Sequence, residues 1–220
     1  MTTFRKATID DIPRVSDIYE NIHGEEEAGN LHIGWERGVY PTRATALAAL
    51  NRGELFVAEI AQSAPAEQPA LNRGELFVAE ISQSALATQS APEAQSALAT
   101  QPAPEAPIIA ASAIINKDQH PVYAQVNWEC KCEADKVLVM HTLAVDPAFA
   151  RRGIGGDFLK FYEELARQMN CQDLRIDTQA HNKIARSLYK KSGYAEADVI
   201  VCDFNGIPDV NLVLLEKPLQ

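Results

Sequence analysis

Residues 143–156 read LAVDPAFARRGIGG and pass from an apolar run, through Pro147, into a glycine-rich turn. The apolar run begins at residue 137, and VLVMHTLAV over residues 137–145 is typical of a buried strand. Beyond the turn, residues 156–170 carry apolar side chains at the spacing of one helix face. This part of the chain therefore predicts a strand, a tight turn and a helix in direct succession.

The turn has the composition of an anion-binding site. Gly153, Gly155 and Gly156 allow a ligand to approach the backbone closely, and the first amides of a helix favour a phosphate or pyrophosphate. The same composition also occurs in a plain connector between a strand and a helix, so both interpretations stay open from the turn alone. A P-loop is excluded because no Lys-Ser or Lys-Thr follows the glycines, and the G-x-x-G spacing of a dinucleotide fingerprint is missing.

The rest of the chain alternates between strand-like and helix-like patterns, which is typical of an α+β or α/β domain. The predicted elements are strands at residues 4–8, 54–60, 107–116 and 173–178, a helix from Asp10 or Asp11 to about Ile22, a helix from Thr42 or Thr45 to residues 51–53, a helix at 184–192, and a closing antiparallel pair joined at Asn205-Gly206.

Two tandem repeats interrupt this pattern at about residues 61–107. LNRGELFVAEI occurs at residues 50–60 and again at 71–81, and an Ala/Gln/Ser/Pro unit that starts QSALATQ occurs at 83–94 and again at 95–106. The stretch 82–107 has few charges and no aromatic residue, so it buries too little apolar surface to offset its ordering entropy. We expect a single domain over residues 1–220, interrupted by a flexible surface loop.

The duplicated strand offers two segments for one position in the sheet. If residues 54–60 fill it, the flanking connections are about 3 and 47 residues long, and if residues 75–81 fill it they are about 24 and 26. The cost of loop closure grows with the logarithm of each length, which favours the first copy by roughly 1.3 kcal/mol. The first copy also follows an alanine-rich helix, whereas Pro69 precedes the second. We therefore predict that residues 54–60 form the strand.

The charge balance limits the classes of partner. The chain has 220 residues and a formal net charge of -10, which opposes binding to nucleic acids and to anionic membranes. No apolar run approaches the ~18 to 20 residues that span a bilayer, and MTTFRKATIDDIP lacks the apolar core of a signal peptide. We expect a cytoplasmic protein with a small-molecule or peptide partner; the oligomeric state is open, with a homodimer as one option.

The cysteines are expected to be free thiols, because a reducing cytosol disfavours disulfides. Cys130 and Cys132 form a C-x-C pair, but no second Cys or His pair lies at zinc-ligand spacing. The surrounding WECKCEAD is typical of the end of an exposed hairpin. The sequence therefore predicts no metal.

A second motif, NKIARSLYKKSGY, occupies residues 182–194. Asn182 and Tyr189 are seven residues apart and are predicted to project from one helix face, where both polar tips point at one ligand. Taken alone, Tyr189 is more typical of a half-buried core tyrosine than of a ligand-binding residue, and only its combination with the other motifs favours a functional role.

LAVDPAFARRGIGG, the helix after it, DLRIDT and NKIARSLYKKSGY together resemble, in order and spacing, motifs A and B of the GNAT superfamily of acyl-CoA-dependent N-acetyltransferases. The resemblance is close over residues 137–194. It implies an α+β fold with a central mixed, mostly antiparallel sheet and flanking helices. The sheet is splayed at strands 4 and 5, here residues 137–145 and 174–178, with coenzyme A in the opening.

The resemblance also implies that the chain is an acyltransferase that transfers an acetyl group from acetyl-CoA, as co-substrate, to a primary amine of a small molecule or peptide through a tetrahedral intermediate. The backbone of strand 4 and the amides of the turn are the implied binding elements. The residues implied to bind acetyl-CoA are Leu143, Ala144, Val145, Arg151, Arg152, Gly153, Ile154, Gly155, Gly156 and Asn182. Ala150 departs from the family pattern, which has Gln or Arg there, although Arg151 and Arg152 keep positive charge beside the phosphates.

In this resemblance Tyr189 protonates the departing thiolate, and a backbone N–H near Leu143 stabilises the oxyanion. The general base is open between His141, the one titratable side chain of strand 4, and water-mediated deprotonation. Trp35 and Tyr40 are candidates for the acceptor wall, and the acidic run 25–27 is either a solvated face or an attraction for a cation. The alternative from a different class is a non-catalytic acyl-CoA-binding or interaction module.

Overall fold

A computed structural model describes residues 2–61 and 106–219. One mixed sheet contains seven strands in the order β1-β2-β3-β4-β5-β7-β6. The strands are β1 (Thr2–Lys6), β2 (Leu55–Ile60), β3 (Ile108–Asn116), β4 (Val137–Val145), β5 (Asp173–Gln179), β6 (Ala195–Phe204) and β7 (Ile207–Pro218), and the α-helices are α1 (Ile12–Glu27), α2 (Arg43–Asn51), α3 (Ile154–Gln168) and α4 (Lys183–Lys191). Strands β4 and β5 pair in parallel and the other neighbours pair antiparallel, which confirms the predicted mixed, mostly antiparallel sheet.

Several element boundaries differ from the prediction, including the end of helix α1, which continues to Glu27 instead of ending near Ile22. Two of the differences have a local cause in the backbone. The first strand ends at Lys6 because Thr8 caps the next turn, where Thr8 N donates to Asp11 Oδ2 at 2.6 Å. Helix α3 begins at Ile154, two residues before the predicted start, directly after Gly153 at φ +81°. A left-handed backbone at that point favours glycine.

The first copy of the repeated strand occupies the predicted position. Strand β2 pairs with β1 on one side and with β3 on the other, and Ile60 lies opposite Ile108. The prediction for residues 54–60 is therefore confirmed. The second copy at 71–81 and the predicted flexible loop lie outside the described residues, and the single-domain prediction stays a prediction.

Helices cover both faces of the sheet. Helix α3 buries Phe158, Leu159 and Tyr162 against one face, and Tyr162 Oη donates to the buried Leu138 O at 2.5 Å. Helices α1 and α2 bury a second apolar cluster against the opposite face at β2 and β3. Among residues 2–61 and 106–219, no helix combines the length and apolarity needed to cross a membrane.

The connection between β3 and β4 contradicts the predicted hairpin. Residues 127–133 contain no strand, and Trp128 is 7% exposed, with its Nε1 donating to Tyr123 O at 2.8 Å. Both aromatic side chains belong to an apolar cluster with β4 and β7. The expectation of an exposed hairpin end is wrong, because this connection packs against the sheet.

Strands β4 and β5 separate partway along their length. Their parallel pairing runs from Val137 opposite Asp173 to Met140 opposite Ile176 and stops there. On the other side of β4, the register against β3 shifts by one extra residue between His141 and Ala144, and Thr142 has φ +51°. A bulge of this kind bends a strand and ends regular pairing. The predicted splay between the fourth and fifth strands is confirmed.

An ion pair joins α1 to the ends of β3 and β4. Arg14 Nε donates to Ile109 O at 3.0 Å, and the guanidinium of Arg14 also pairs with the carboxylate of Asp146. Asp146 is 2% exposed and accepts from Ala148 N at 2.9 Å, so it also shapes the turn after β4.

Replacing Arg14 with methionine keeps much of the apolar stem and leaves Asp146 buried without its cation. We expect the free energy of unfolding to fall by about 2–4 kcal/mol. Arg37→Met is the control, because Arg37 pairs with Glu20 and Glu27 at the exposed surface, where an ion pair contributes about 0–1 kcal/mol. Urea unfolding measures both variants, and equal losses would show that the Arg14 pair does not hold α1 to the sheet.

Candidate functional site

A cleft of about 910 Å³ opens where β4 and β5 separate. Its walls come from β4, the turn into α3, β5, α4, the connection between α1 and α2, and the turn between β6 and β7. The sequence-predicted residues that line it are Trp35, Tyr40, His141, Leu143, Val145, Arg151, Gly153, Ile154, Gly155, Gly156, Asn182 and Tyr189. Residues far apart in the sequence thus meet in one cavity.

Two of the predicted binding residues, Ala144 and Arg152, are not among the described residues that line the cleft. The side chain of Ala144 is buried in the apolar cluster under α1 and α2, because neighbouring side chains on a strand point to opposite faces. Arg152 is exposed, and its guanidinium carbon lies 5.1 Å from the ring centroid of Phe149. Ala144 can therefore contribute to the cleft through its backbone but not through its side chain.

The turn between β4 and α3 presents backbone amides to the cleft. Asp157 N donates to Gly153 O at 3.0 Å, so the amides of Ile154, Gly155 and Gly156 precede the first bond of the helix and have no partner within it. These amides and the positive end of the α3 dipole form a site suited to a phosphate group.

Asn182 and Tyr189 border the cleft from α4. Asn182 caps this helix, with its Oδ1 accepting from Ala185 N at 3.1 Å and its Nδ2 donating to Thr178 Oγ1 at 3.2 Å. Tyr189 is 5% exposed, and burial raises its pKa well above its ordinary value, with the nearby Asp177 carboxylate adding to the shift. The phenol therefore keeps its proton at neutral pH and is a potential donor.

His141 and Asp177 lie side by side in the wall of the cleft. His141 Nε2 lies 3.1 Å from both Asn116 Oδ1 and Asp118 O, two acceptors that favour a hydrogen on this nitrogen. The opposite ring nitrogen, Nδ1, lies 3.9 Å from Asp177 Oδ2. Tyr123 Oη donates to the same carboxylate oxygen at 2.7 Å.

Sequence reasoning missed Asp177. Its side chain is 8% exposed, and burial raises its pKa, a shift opposed by the nearby His141 and the hydroxyl of Tyr123. The available signal was the alternation Asp173, Arg175, Asp177, which places three charged side chains on one face of β5. That alternation is typical of a solvent-facing strand, whereas here residues 117–136 cover the face.

The acceptor side of the cleft combines aromatic and polar groups. Trp35 and Tyr40 lie edge to face with ring centroids 6.3 Å apart, and the Tyr40 hydroxyl bonds to Thr142 Oγ1 at the bulge. Phe204 and Asn205 complete this side from the turn between β6 and β7. A hydrogen bond therefore connects the acceptor side of the cleft to the bulge in β4, where β4 and β5 separate.

The acidic run at residues 25–27 divides into three environments. Glu25 lines the cleft. Glu26 accepts from the amides of Ile33 at 2.7 Å and Gly34 at 2.8 Å and thereby holds the loop after α1. Glu27 pairs with an exposed arginine. Only Glu25 of this run faces a ligand placed in the cleft.

A sequence model described as the acetyltransferase (GNAT) family matches residues 74–194, just over half of the chain. The match begins in the second copy of the repeated strand, and its first part lies outside the described residues. Its remainder contains the turn, β5 and α4, so it covers the glycine-rich and α4 walls of the cleft.

Curated relatives match a shorter part of the chain. The chain is 30% identical over 77 residues to the uncharacterized N-acetyltransferase YhfO of Bacillus subtilis, which is 35% of this chain and 48% of that protein. It is 30% identical over 79 residues to the uncharacterized N-acetyltransferase MJ1207 of Methanocaldococcus jannaschii, which is 36% of this chain and 35% of that protein. The matches thus span about half, or less, of these relatives.

Solved structures share this fold. A GNAT-family acetyltransferase of Streptococcus agalactiae has a TM-score of 0.64 at 17% identity, covering 100% of this chain and 96% of that chain. The structure of yncA of Salmonella typhimurium with its cofactor acetyl-CoA has a TM-score of 0.57 at 12% identity, covering 100% of this chain and 95% of that chain. At these identities the likeness shows the fold.

The raised pKa of Asp177 predicts a pH dependence of stability. The folded chain binds this proton more tightly than the unfolded chain, so the resulting stabilisation is complete below the ordinary pKa of 3.8 and is lost as pH rises through the folded value. Asp177→Asn removes the titration. We expect the free energy of unfolding of the unsubstituted chain, relative to the variant, to decrease from about pH 4 to pH 7.

Denaturant unfolding at several pH values measures this difference, and Asp157→Asn, at an exposed carboxylate, is the control. Parallel pH curves for the unsubstituted chain and Asp177→Asn would contradict the raised pKa.

Proposed function

This chain belongs to the acetyltransferase (GNAT) family, and on that premise we propose that it transfers an acetyl group from acetyl-CoA to a primary amine of a small molecule or peptide. The observation that carries the proposal is that one cleft contains the amides at the start of α3, the phenol of Tyr189 and the His141–Asp177 pair. An anion site, a proton donor and a proton acceptor are the groups that this reaction needs.

Acetyl-CoA is proposed to bind along β4 and the turn. The free amides of Ile154, Gly155 and Gly156 suit the pyrophosphate, with Arg151 lining the same end of the cleft. Leu143 and Val145 line the cleft from β4, and their backbone suits the amide groups of the pantetheine arm. The acetyl group is then directed at the bulge.

The bulge provides a donor for the thioester oxygen. Thr142 and Leu143 fall in the register shift and have no Cα partner on β3, whereas Ile114 pairs with His141 and Ser112 with Ala144. We propose that the amide of Leu143 donates to the oxyanion of the tetrahedral intermediate. A preorganised donor of this kind contributes on the order of 10² to 10³ in rate.

The acceptor amine is proposed to enter between Trp35 and Glu25 and to lose its proton to the His141–Asp177 pair. An amine is a nucleophile only when neutral, and the pair supplies a nitrogen, Nδ1, beside a buried carboxylate. Glu25 and Asp177 give this side of the cleft a negative character that attracts a cationic amine. Deprotonation through a water molecule is the alternative route.

The departing thiolate is proposed to take a proton from Tyr189. Burial raises the pKa of this phenol, so it is protonated when the carbon–sulfur bond breaks. The carbon–nitrogen bond forms first and gives the tetrahedral intermediate, and the amine proton passes to His141 or water. The carbon–sulfur bond then breaks as the carbonyl re-forms, and the sulfur takes the proton of Tyr189. The charges then balance without a further reactant.

The phosphate site is tested at Gly156, where an added Cβ would meet no atom within 4 Å. Gly156→Asp places a negative charge beside the free amides, while an acidic residue in the first turn suits helix α3 itself. We expect acetyl-CoA affinity by calorimetry to fall at least about tenfold from like-charge repulsion, with folding retained. Gly156→Ala is the control and should bind nearly as the unsubstituted chain.

Gly155 is a poorer test position, because a Cβ there would lie 3.1 Å from Leu188 Cδ2. The same preparations are assayed for release of the coenzyme A thiol with polyamines, amino acids, aminoglycosides and peptides. Acetyl-CoA binding without amine-dependent thiol release would identify a binding module instead. Unchanged affinity in Gly156→Asp would remove the main support for coenzyme binding at the turn.

Tyr189→Phe keeps the ring and removes the proton donor. We expect kcat to fall at least about tenfold with little change in acetyl-CoA affinity or Tm, because a positioned general acid typically contributes about 10² to 10⁴ in rate. Tyr194→Phe is the matched control: its ring lies 6.1 Å from Tyr189, and its buried hydroxyl has no hydrogen-bond partner in the described residues.

The control variant should keep its kcat. An unchanged kcat in Tyr189→Phe would mean that water protonates the leaving group. A joint fall in affinity and Tm would instead make Tyr189 a packing residue.

A further inference from the structure

Two thiols and a carboxylate meet at the end of the sheet opposite the cleft. The Sγ atoms of Cys130 and Cys132 and a carboxylate oxygen of Asp173 all lie within 4.8 Å of one another. Asp173 begins β5 and is paired with Val137, whereas the cleft opens beyond Met140 at the other end of this pairing. The cluster is therefore separate from the proposed acetyl-transfer site.

The carboxylate of Asp173 is buried with one oxygen unused. Asp173 is 0% exposed, and its Oδ2 accepts from Arg175 Nε at 2.8 Å. Its Oδ1 is buried and has no hydrogen-bond partner among residues 2–61 and 106–219. An unsatisfied carboxylate oxygen in the interior is costly, and a bound cation would offset that cost.

Neighbouring contacts hold the three groups in place. Glu216 on β7 is 3% exposed and accepts from Glu129 N at 2.6 Å and from Cys130 N at 3.3 Å, which fixes the chain that carries the thiols. The guanidinium carbon of Arg175 lies 3.9 Å from the ring centroid of Trp128, so the residue that orients Asp173 also packs on this connection. Such outer contacts are typical of groups that orient metal ligands.

The local charge also favours a cation. Asp173 and Glu216 are two buried carboxylates. The buried guanidinium of Arg175 pairs with Asp173, and Arg175 lies opposite Glu216 in the sheet. A divalent ion beside the two thiols offsets most of the remaining negative charge together with the charge of the thiolates that bind it.

We propose that Cys130, Cys132 and Asp173 bind Zn²⁺ through two thiolates and one carboxylate oxygen. Thiolate sulfur and carboxylate oxygen are ordinary zinc ligands, and three protein ligands leave the fourth tetrahedral position to water. On binding, both thiols release their protons to solvent and two sulfur–zinc bonds form, with no change in oxidation state. The ion ties the connection before β4 to the start of β5.

The sequence lacks a second pair of ligands at zinc-ligand spacing, which is why it predicts no metal. The third ligand lies instead on a strand that follows β4 and α3 in the chain and adjoins Cys130 and Cys132 only in the folded sheet. This site does not depend on the proposed acetyltransferase activity.

The test uses the full chain, reduced and stripped of metal with a chelator, then titrated with Co²⁺ as a spectroscopic probe and with Zn²⁺ in competition. We expect one Co²⁺ per chain with thiolate-to-cobalt charge-transfer absorption, displaced by Zn²⁺, and a higher Tm with Zn²⁺ bound. Cys130→Ser, Cys132→Ser and Asp173→Asn should each weaken Zn²⁺ binding at least about 100-fold, because outer-shell changes alone cost 10–100-fold.

Cys202→Ser is the matched control, since Cys202 is also a half-buried free thiol but lies on β6. It should leave affinity and the cobalt spectrum unchanged. The proposal is overturned if the charge-transfer band is absent or if Cys202→Ser weakens binding as much as Cys132→Ser. It is also overturned if the reduced chain binds no Zn²⁺ and the two thiols only form a disulfide in air.

Discussion

The loss of pairing between β4 and β5 beyond Met140 and Ile176 is the constraint on which the rest of the site depends. A closed sheet at this point would fill the space with main-chain hydrogen bonds. The bulge at Thr142 turns β4 away and leaves its last residues facing the opening. Every wall of the cleft is arranged around that gap, including Tyr40, whose hydroxyl bonds to Thr142 itself.

Much of the fold was predictable because its signals are local. The glycines that begin α3 and the capping residue Asn182 act within a few residues of their own position, and the sequence pattern places both elements within two residues of their observed limits. The choice between the two identical sequence copies for β2 was predictable from connection length together with the alanine-rich helix that precedes the first copy. The expectation that these elements enclose one cleft came from the resemblance to the family. The roles of Tyr189 and His141 stay predictions.

The remaining features depend on contacts between distant segments, which leave no local pattern. Asp177 has the spacing of a solvent-facing residue, and only the packing of Tyr123 over β5 buries it. The segment around Trp128 was predicted to be the end of an exposed hairpin. In the structure the ring of Trp128 is buried and packs on the guanidinium of Arg175, so this segment is part of the core. Both differences have one origin: residues 117–136 cover a charged face of the sheet.

The pairing of Ile60 with Ile108 has a consequence for how this chain tolerates change. These two residues lie at the border of the repeated region and are neighbours in the sheet. Any segment that connects them therefore has its two ends about one strand spacing apart. The closure cost of a longer connection grows only with the logarithm of its length. This border is therefore suited to domain insertion. A foreign domain whose own termini lie close together fits between the two strands without a change in the register of either strand.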